Sequence, residues 1–462
     1  MPSVLWQQRS LEAVWKTFSK KCIDKQSVRI QTLRKEFQRV YGGPADFVVR
    51  APGRVNIIGE HIDYCGYGVF PMAVEQDILV AAEKTDSNTI ELKNMESRYP
   101  DFSCSLNDIT INSSLPCWFD YFLCGVKIIQ ERFPKTPFPG VRFLIQGSVP
   151  PAAGLSSSSA LVCSAALATM NAIGEDLPRT ELASLCAKCE CYVGVEGGGM
   201  DQAICLLAEK GSAKLIEFEP RLTAQTVQLP STAVFVVANS RVEINKGNTS
   251  NYNTRVVECR LAAQLILKES GEEWKKRVRL YDVQKCLNLS LVECAELVQK
   301  ILHVEPYSLE ELCSIFCMSK DEFKLWALSE KTMNLTNFQL HNRALHVYQE
   351  AHRVYQFKQV CEAGDVNRMG ELMSQSHASC RDLYECSHPL LDKLVAICSQ
   401  NGALGSRLTG AGWGGCSVTL ATASKVPLIV AALEKHFYKP RGLATQENVF
   451  VSTPAACGRI FT

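Results

Sequence analysis

Hydrophobic and polar positions along the chain follow two periods, one typical of strands and one typical of helices. Alternating or β-branched hydrophobic residues predict strands over 47–51, 69–82, 89–92, 141–149, 214–218 and 234–239. Apolar residues three and four positions apart predict helices over 33–41, 118–131, 160–172 and 179–192, the last opened by Thr180. Strands and helices in both halves of the chain predict an α+β fold.

The same pattern divides the chain into two domains. Pro220 and Pro230 bound the connection between two predicted strands, so we place the domain boundary there. The predicted N-terminal domain covers 1–225 and the predicted C-terminal domain covers 226–462. Between 252 and 355 the pattern is almost wholly helical, and a stretch near 265–340 is predicted to be a helical insert.

Composition and charge exclude several classes of partner. The 462 residues carry 49 Lys and Arg against 48 Asp and Glu, so no basic field attracts nucleic acid or anionic lipid. The uncharged stretch 143–174 is interrupted by Pro150 and Pro151, which leaves an apolar run too short for a bilayer. The first residues do not resemble a secretory signal. We therefore expect a cytoplasmic protein that binds neither nucleic acid nor membrane.

Cysteine is frequent, with 21 in the chain, and two clusters imitate metal sites. Their members are Cys186, Cys189 and Cys191 in one, and His377, Cys380, Cys386 and His388 in the other. Neither cluster has the paired spacing of a structural zinc domain. We interpret these cysteines as small buried thiols of a protein in a reducing compartment.

A glycine and four serines precede an apolar helix in the segment PPAAGLSSSSA at 150–160. Gly154 allows a close backbone turn, and the amides from Ser156 onward can converge at the N-terminus of a helix beginning near Ser159. Unpaired N–H groups and the positive helix end favour an anion such as phosphate. The alternative is a serine-rich turn that only caps the helix. No G-x-x-x-x-G-K-[ST] motif occurs, so a Walker-type loop is excluded.

A second glycine cluster has the sequence GAGWGG at 410–415. It can wrap backbone around a ligand, and the alternative is a tight turn that serves backbone geometry alone. Two glycine loops from two predicted domains fit a nucleotide held between those domains.

The segment GRVNIIGEHIDY at 53–64 concentrates groups that bind a polyol. Glu60, His61 and Asp63 supply hydrogen-bonding groups for several sugar hydroxyls. Asp201 follows three glycines that clear space beside it. We therefore predict that its carboxylate contacts the substrate hydroxyl that attacks the phosphoryl group. Arg54 is expected beside Asp201, where it would favour the ionised carboxylate and stabilise negative charge on the transferring phosphoryl group. The alternative is a purely structural ion pair.

Three separated motifs give the chain a resemblance to the GHMP kinases and, within them, the galactokinases. Residues 53–64 resemble the galactokinase signature, residues 150–160 the Gly-Leu-Ser-Ser-Ser-Ala phosphate motif, and residues 408–416 the third, C-terminal motif. The motifs stand in the family's order, and the similarity spans nearly the whole chain. The resemblance implies an N-terminal domain like the second domain of ribosomal protein S5, a ferredoxin-like C-terminal domain, and a site between them.

The resemblance also implies a role for each matching residue, with ATP and Mg²⁺ as cofactors. The catalytic pair would be Arg54 and Asp201, and the aromatic ring stacked on adenine would be Trp118. The predicted sugar contacts are Arg54, Glu60, His61, Asp63, Gly198, Asp201 and Tyr252. The predicted ATP-binding residues besides Trp118 are Gly154, Leu155, Ser156, Ser157, Ser158 and Ser159. The predicted Mg²⁺ ligands are Ser158, Ser159 and Glu190.

Within the galactokinases the chain resembles most the eukaryotic N-acetylgalactosamine kinases, through stretches such as 196–202, 213–218 and 379–386. We therefore expect a monomer that binds sugar and ATP and phosphorylates the anomeric hydroxyl of N-acetylgalactosamine. Tyr252 is the aromatic usual in galactokinases, which keeps galactose as the alternative substrate. A catalytically silent galactose sensor is the second alternative. Such relatives have lost part of the serine loop, which is complete here, and this favours an enzyme.

Overall fold

The computed structural model of the protein describes residues 26–195, 197–243, 250–276 and 278–462. Up to residue 239 the elements in chain order are α1 (26–41), β1 (Phe47–Ile58), β2 (Phe70–Thr85), β3 (Thr89–Asn94), β4 (Phe102–Ser105), α2 (Trp118–Arg132), β5 (Gly140–Gly147), α3 (Ser157–Ile173), α4 (Arg179–Lys188), α5 (Met200–Leu207), β6 (Ser212–Glu217), β7 (Thr223–Gln228) and β8 (Val234–Asn239).

The elements after residue 239 include most of the helices. In chain order they are α6 (Asn251–Glu269), α7 (Leu280–Leu287), α8 (Leu291–Ile301), β9 (Tyr307–Ser308), α9 (Leu309–Phe316), α10 (Lys320–Ala327), β10 (Asn337–Phe338), α11 (Leu340–Glu362), α12 (Val366–Asp382), α13 (Pro389–Gln400), β11 (Gly405–Thr409), β12 (Cys416–Ala421), α14 (Val426–Leu433), β13 (Val449–Ser452) and β14 (Arg459–Phe461).

The N-terminal half is built on a six-stranded sheet in the order β14-β1-β2-β5-β3-β4. Strand β1 runs through the interior, and all 12 of its residues are buried. Helices α2 and α3 pack against each other, and α3 also covers β1 and β2. The last strand of the chain returns to this sheet, where Phe461 pairs with Val48. The first and the last strand of the described chain are therefore neighbours in one sheet.

The C-terminal half contains a four-stranded antiparallel sheet in the order β11-β12-β8-β13. Helices α12 and α13 lie against β11, and the long helix α11 packs against α6, α8 and α12. Strand β1 of the first sheet contacts α11, α12 and β11. It therefore lies at the junction of the two halves.

Strand β1 is irregular where it approaches the C-terminal half. Its register against β2 shifts between Pro52 and Arg54 and again between Asn56 and Ile58. Such irregularities re-aim side chains and interrupt the ladder. The backbone N–H of Asn56 instead donates to Thr409 Oγ1 at 2.8 Å, which ties β1 to β11. The bulged end of β1 thus positions Arg54 between the halves.

The α+β class and most elements predicted from the hydrophobic pattern are confirmed, and α2 begins at Trp118 as predicted. Helix α3 begins at Ser157, two residues before the predicted start near Ser159, because Ser156 turns into the left-handed region with φ 60° and precedes the first turn. Helix α4 begins at Arg179, the first residue of the predicted range 179–192, but its N-cap residue is Pro178 rather than Thr180.

Other differences concern short elements and one helix end. The helix predicted over 179–192 ends at 188 and continues as the 3₁₀ turn Cys189–Val193. The sequence analysis also misses β4, β7 and α5, since the two strands have mostly polar or exposed positions and α5 has only eight residues. The domain boundary placed after residue 225 lies within β7 and stays a prediction.

Within the described ranges, no helix is both long and apolar enough to cross a bilayer. In the same ranges the cysteines are all free thiols, and no three His, Cys, Asp or Glu side chains are grouped as a metal site would require. Cys186, Cys189, Cys380 and Cys386 are buried as predicted, whereas Cys191 is exposed because it lies on the outer side of the 3₁₀ turn after α4.

Helix α12 approaches β11 through two glycines, Gly370 and Gly405. A Cβ atom on Gly370 would overlap the carbonyl of Leu404, and one on Gly405 would overlap the carbonyl of Gly370. We predict that Gly370→Ala lowers the free energy of unfolding by about 1–3 kcal/mol, because the helix must move away from the strand. Chemical denaturation followed by circular dichroism measures this change.

Alanine is a better helix former than glycine by about 1 kcal/mol. Without the tight helix–strand contact, Gly370→Ala would therefore raise the free energy of unfolding. Gln375→Ala, at an exposed position of the same helix, is the matched control. It should change stability by less than about 0.5 kcal/mol. A Gly370→Ala protein more stable than the wild type would contradict the tight helix–strand contact.

Candidate functional site

Arg54 and Asp201 form a buried ion pair between β1 and α5. Arg54 Nε lies 2.7 Å from Asp201 Oδ1, and the two side chains are 1% and 11% exposed. Arg54 Nη1 donates to the carbonyl oxygen of Gly154 at 2.5 Å. The backbone N–H of Arg54 donates to the carbonyl of Leu155 at 3.1 Å. The structure therefore brings the predicted catalytic pair together and fixes it to the glycine–serine loop at 150–160.

The glycine–serine loop turns sharply before α3. Gly154 and Ser156 both have left-handed backbone, with φ of 71° and 60°. Residues 157–159 form the first turn of α3, a helix of 17 residues whose N-terminus presents amide donors and the positive end of the dipole. The hydroxyl of Ser156 is buried and has no hydrogen-bond partner among the described residues. A phosphate oxygen would satisfy both the hydroxyl and the helix-end amides.

The second glycine cluster packs directly on this loop. A Cβ atom on Gly154 would lie 2.7 Å from the carbonyl oxygen of Thr409, and one on Gly415 would lie 2.7 Å from that of Ala153. Gly415 also has a positive φ of 74°. Glycine is required here because two backbones meet without room for side chains. The cluster thus supports the glycine–serine loop from the C-terminal half.

A cavity of about 300 Å³ opens over the glycine–serine loop. The indole Nε1–H of Trp118 donates to the carbonyl of Pro100 at 3.0 Å, which fixes the ring at the cavity wall. Tyr99 also lines the cavity, and its ring centroid lies 6.2 Å from that of Trp118. Arg54 and residues 156–158 also line this cavity. An apolar wall and an anion-binding loop in one cavity suit a nucleotide.

Ser159 and Glu190 meet beside the glycine–serine loop. Ser159 Oγ donates to Glu190 Oε1 at 2.7 Å. Glu190 belongs to the 3₁₀ turn that follows α4. A carboxylate and a hydroxyl are oxygen ligands of the kind that Mg²⁺ prefers. Ser158 lines the cavity over the glycine–serine loop, whereas Ser159 contacts Glu190. The two serines therefore have different surroundings, which the sequence alone does not indicate.

Asp63 and Gly198 are in close contact although they are far apart in sequence. A Cβ atom on Gly198 would lie 2.5 Å from Asp63 Cγ, so glycine is required at this position. The backbone N–H of Met200 donates to Asp63 Oδ2 at 3.4 Å, which places Asp63 at the N-terminus of the helix that carries Asp201. Asp63 and Gly198 also line a second cavity of about 690 Å³, whose apolar wall includes Phe218, Val256 and Leu280.

His61 lies in a cluster of aromatic rings, and both of its ring nitrogens have partners in the protein. Its Nε2–H donates to the carbonyl of Ala411 at 2.8 Å, and Nδ1 lies 2.9 Å from the hydroxyl of Tyr64. The Tyr64 hydroxyl in turn lies 2.6 Å from that of Tyr384. These contacts fix the imidazole between the sugar signature and the glycine cluster, and its contact with a sugar stays a prediction.

Tyr252 stands at the start of α6, and its ring centroid lies 5.6 Å from that of His61. The side chain is buried. Burial raises the pKa of the Tyr252 hydroxyl well above its usual value, and the negative charges of Asp63, Asp201 and Glu190 add to this effect. The Tyr252 hydroxyl is therefore neutral, and it interacts with the carboxylates of Asp63, Asp201 and Glu190.

Glu60 is buried and pairs with Arg407 of β11, which the sequence analysis missed. Arg407 Nη1 lies 2.9 Å from Glu60 Oε2, and the side chains are 0% and 3% exposed. Burial raises the pKa of Glu60, while the positive charges of Arg407 and Arg54 act against this shift. The available signal was a single charged residue directly before the third motif.

The chain matches three family models in their expected order. Residues 35–84 match the galactokinase galactose-binding signature, and residues 120–209 match the N-terminal domain of GHMP kinases. Residues 357–439 match the GHMP kinase C-terminal region. The three motifs that carried the resemblance lie within or beside these matches.

Curated relatives and solved structures align with most of the chain. It is 40% identical to a galactokinase of Dictyostelium discoideum, over 98% of this chain and 96% of that protein. It is 33% identical to a galactokinase of Saccharomyces cerevisiae, over 91% of this chain and 92% of that protein. The crystal structure of Lactococcus lactis galactokinase complexed with galactose gives a TM-score of 0.72 at 24% identity, over 93% of this chain and 99% of that chain.

A mevalonate kinase structure gives a TM-score of 0.56 at 19% identity, over 90% of this chain and 99% of that chain. These likenesses confirm the predicted GHMP kinase fold. Because both GHMP kinase domains are matched and the curated relatives align along nearly the whole chain, the chain belongs to the galactokinase family of the GHMP kinases, enzymes that transfer a phosphoryl group to an alcohol.

Proposed function

We propose that the protein uses ATP to phosphorylate the anomeric (C1) hydroxyl of galactose. The observation that carries this proposal is the Arg54–Asp201 ion pair, whose guanidinium also bonds the carbonyl of Gly154. These contacts bring the carboxylate of Asp201, the guanidinium of Arg54 and the glycine–serine loop next to one another. The curated relatives named galactokinase support galactose as the acceptor.

Two residues act on the reacting atoms in this proposal. Asp201 orients the C1 hydroxyl and accepts its proton as the bond from its oxygen to the γ-phosphorus forms and the bond from that phosphorus to ADP breaks. Arg54 stabilises negative charge on the transferring phosphoryl group. Because the transition state of phosphoryl transfer is loose, position and charge contribute more than the strength of the base. A carboxylate held by a guanidinium is therefore adequate for this role.

The cavity over the glycine–serine loop is the proposed ATP site. Trp118 would lie against the base, and the loop from Gly154 to Ser158 would contact the phosphates. The buried Ser156 hydroxyl without a partner in the described chain supports this assignment. Ser159 and Glu190 would hold Mg²⁺, which supplies positive charge to the phosphate oxygens.

The sugar would lie beside Asp201, on the side where Asp63 and Gly198 meet. Carboxylates supply strong acceptors for sugar hydroxyls, and Tyr252 supplies a neutral hydroxyl that both donates and accepts. Glu60 and His61 complete the proposed sugar contacts from the loop after β1.

N-acetylgalactosamine is the second candidate substrate, and the cavity of about 690 Å³ beside Asp63 and Gly198 favours it. Galactose alone has no group that needs this space, whereas a 2-acetamido group requires room next to the sugar ring. The apolar wall formed by Val256 and Leu280 suits the methyl group of such a substituent.

A coupled assay of ADP release with galactose and with N-acetylgalactosamine tests the function and ranks the two substrates. Phosphorus NMR of the product should show a phosphate on C1. Ala187→Leu narrows the second cavity, so it should lower kcat/KM for N-acetylgalactosamine more than for galactose. Binding of sugar and ATP without ADP release would overturn the kinase proposal in favour of a sensor.

Asp201→Asn should lower kcat by about 10²–10⁴-fold, because the amide cannot accept the proton. Its oxygen can still accept from Arg54, so sugar binding measured by calorimetry should persist. Asp176→Asn, at an exposed position, is the matched control and should keep wild-type turnover. Turnover of Asp201→Asn at the wild-type rate would remove Asp201 from the chemistry.

Glu190→Gln should raise the Mg²⁺ concentration that gives half-maximal rate by at least about tenfold, because a charged oxygen ligand is lost. The measurement is a magnesium titration of the rate at saturating ATP and sugar. Glu181→Gln changes an exposed glutamate of α4 and should leave the titration unchanged. An unaltered magnesium requirement in Glu190→Gln would exclude Glu190 as a ligand.

We also propose that the protein acts as a monomer in the cytoplasm. Free thiols throughout the described ranges fit a reducing compartment. Sedimentation equilibrium of the purified protein tests the oligomeric state.

A further inference from the structure

Arg407 of β11 contacts the loop that carries the proposed sugar-binding residues. Its side chain is completely buried. Nη1 donates to Glu60 Oε2 and to the carbonyl of Asn56, both at 2.9 Å. Nε donates to Ser376 Oγ of α12 at 3.1 Å. One guanidinium therefore joins the loop after β1 to an element of the C-terminal half.

A second path leads from Ser376 back to the same loop. Ser376 Oγ donates to Glu350 Oε1 of α11 at 2.5 Å. Glu350 Oε1 also accepts hydrogen bonds from the backbone N–H groups of Gly59 at 2.9 Å and Glu60 at 3.3 Å. Glu60, Arg407, Ser376 and Glu350 thus form a closed ring of hydrogen bonds.

The ring holds both the backbone and the side chain of Glu60. His346 Nε2 lies 3.1 Å from the Glu60 carbonyl, so the backbone is held on its other side as well. Arg353 Nε donates to Glu350 Oε2 at 2.8 Å, so its positive charge offsets the negative charge of the Glu350 carboxylate. Removing ions from water costs about as much as their attraction returns, so such a ring contributes little net stability. What it provides is one fixed position for a carboxylate.

We propose that Arg407 is a positioning residue for the sugar site, which acts by holding the carboxylate of Glu60 from the C-terminal half of the chain. This inference rests on the proposed sugar kinase function. Arg407 acts through Glu60, so its loss affects recognition of the sugar and leaves recognition of ATP intact. Glu350 and Ser376 complete the ring and share this role.

A double-mutant cycle in the full-length protein tests the proposal. Arg407→Gln and Glu60→Gln are each expected to raise the KM for the sugar by at least about tenfold, since each breaks a hydrogen bond between charged groups. The KM for ATP should change by less than about threefold. In the Glu60→Gln background, Arg407→Gln should add little further increase, because its target is already lost.

Additive effects of the two substitutions on the sugar KM would overturn the proposal, as would an equal rise in the KM for ATP. Arg50→Gln is the matched control, because Arg50 is a buried arginine paired with Asp77 at 2.6 Å in the other half. It should lower the thermal midpoint without raising the sugar KM. If it raises the sugar KM as Arg407→Gln does, general destabilisation explains both, and the proposal fails.

Arg407→Lys serves as the second variant if Arg407→Gln does not fold. Lysine keeps the charge but cannot contact Glu60 and Ser376 with the same planar geometry. It should therefore give a sugar KM between those of the wild type and Glu60→Gln, and a wild-type KM would overturn the proposal. A wild-type protein inactive with both sugars overturns the proposed function itself, whereas an active wild type with additive variants overturns only the role of Arg407.

Discussion

The geometry of the candidate site depends on the guanidinium of Arg54. One side chain holds the carboxylate of Asp201 through Nε and the glycine–serine loop through Nη1, so it fixes the distance between the acid and the backbone of that loop. Burying this charge is costly, and the cost is offset because its donors meet a carboxylate and a carbonyl. Lysine could not make the same pair of contacts, because arginine presents its donors in fixed directions. The bulge in β1 and the turn before α3 bring the partners to this group.

Close backbone contacts join the two halves of the chain at the candidate site, together with side-chain pairs such as Glu60–Arg407. Gly154 and Gly415 let the glycine–serine loop lie against the C-terminal cluster, and the carbonyl of Ala411 accepts from His61. The C-terminal half thus shapes the site with carbonyls, glycines and the guanidinium of Arg407. The backbones at Gly154 and Gly415 are so closely packed that a methyl group on either glycine would overlap the opposite chain segment.

Much of the candidate site could be predicted because its residues belong to short motifs. Arg54 and the signature at 53–64 lie within one strand and turn, and the serines lie within one turn of helix, so local sequence carries the pattern. Arg407 pairs with a residue 347 positions away, and no local period records such a contact. Edge strands such as β7 were missed because their polar positions resemble those of loops. The start of α3 was misplaced because its first turn is polar, and hydrophobic periodicity begins only later.

The pairing of β14 with β1 has a consequence for how the protein is made. The strand that carries Arg54 has the final residues of the chain as its neighbour on one side. Phe461 pairs with Val48 and is synthesised long after it, so this edge of the N-terminal sheet stays open while the intervening residues are made. Unpaired edges of this kind invite association with other chains. Synthesis of residues 459–461 is therefore the step after which this edge of the N-terminal sheet can close.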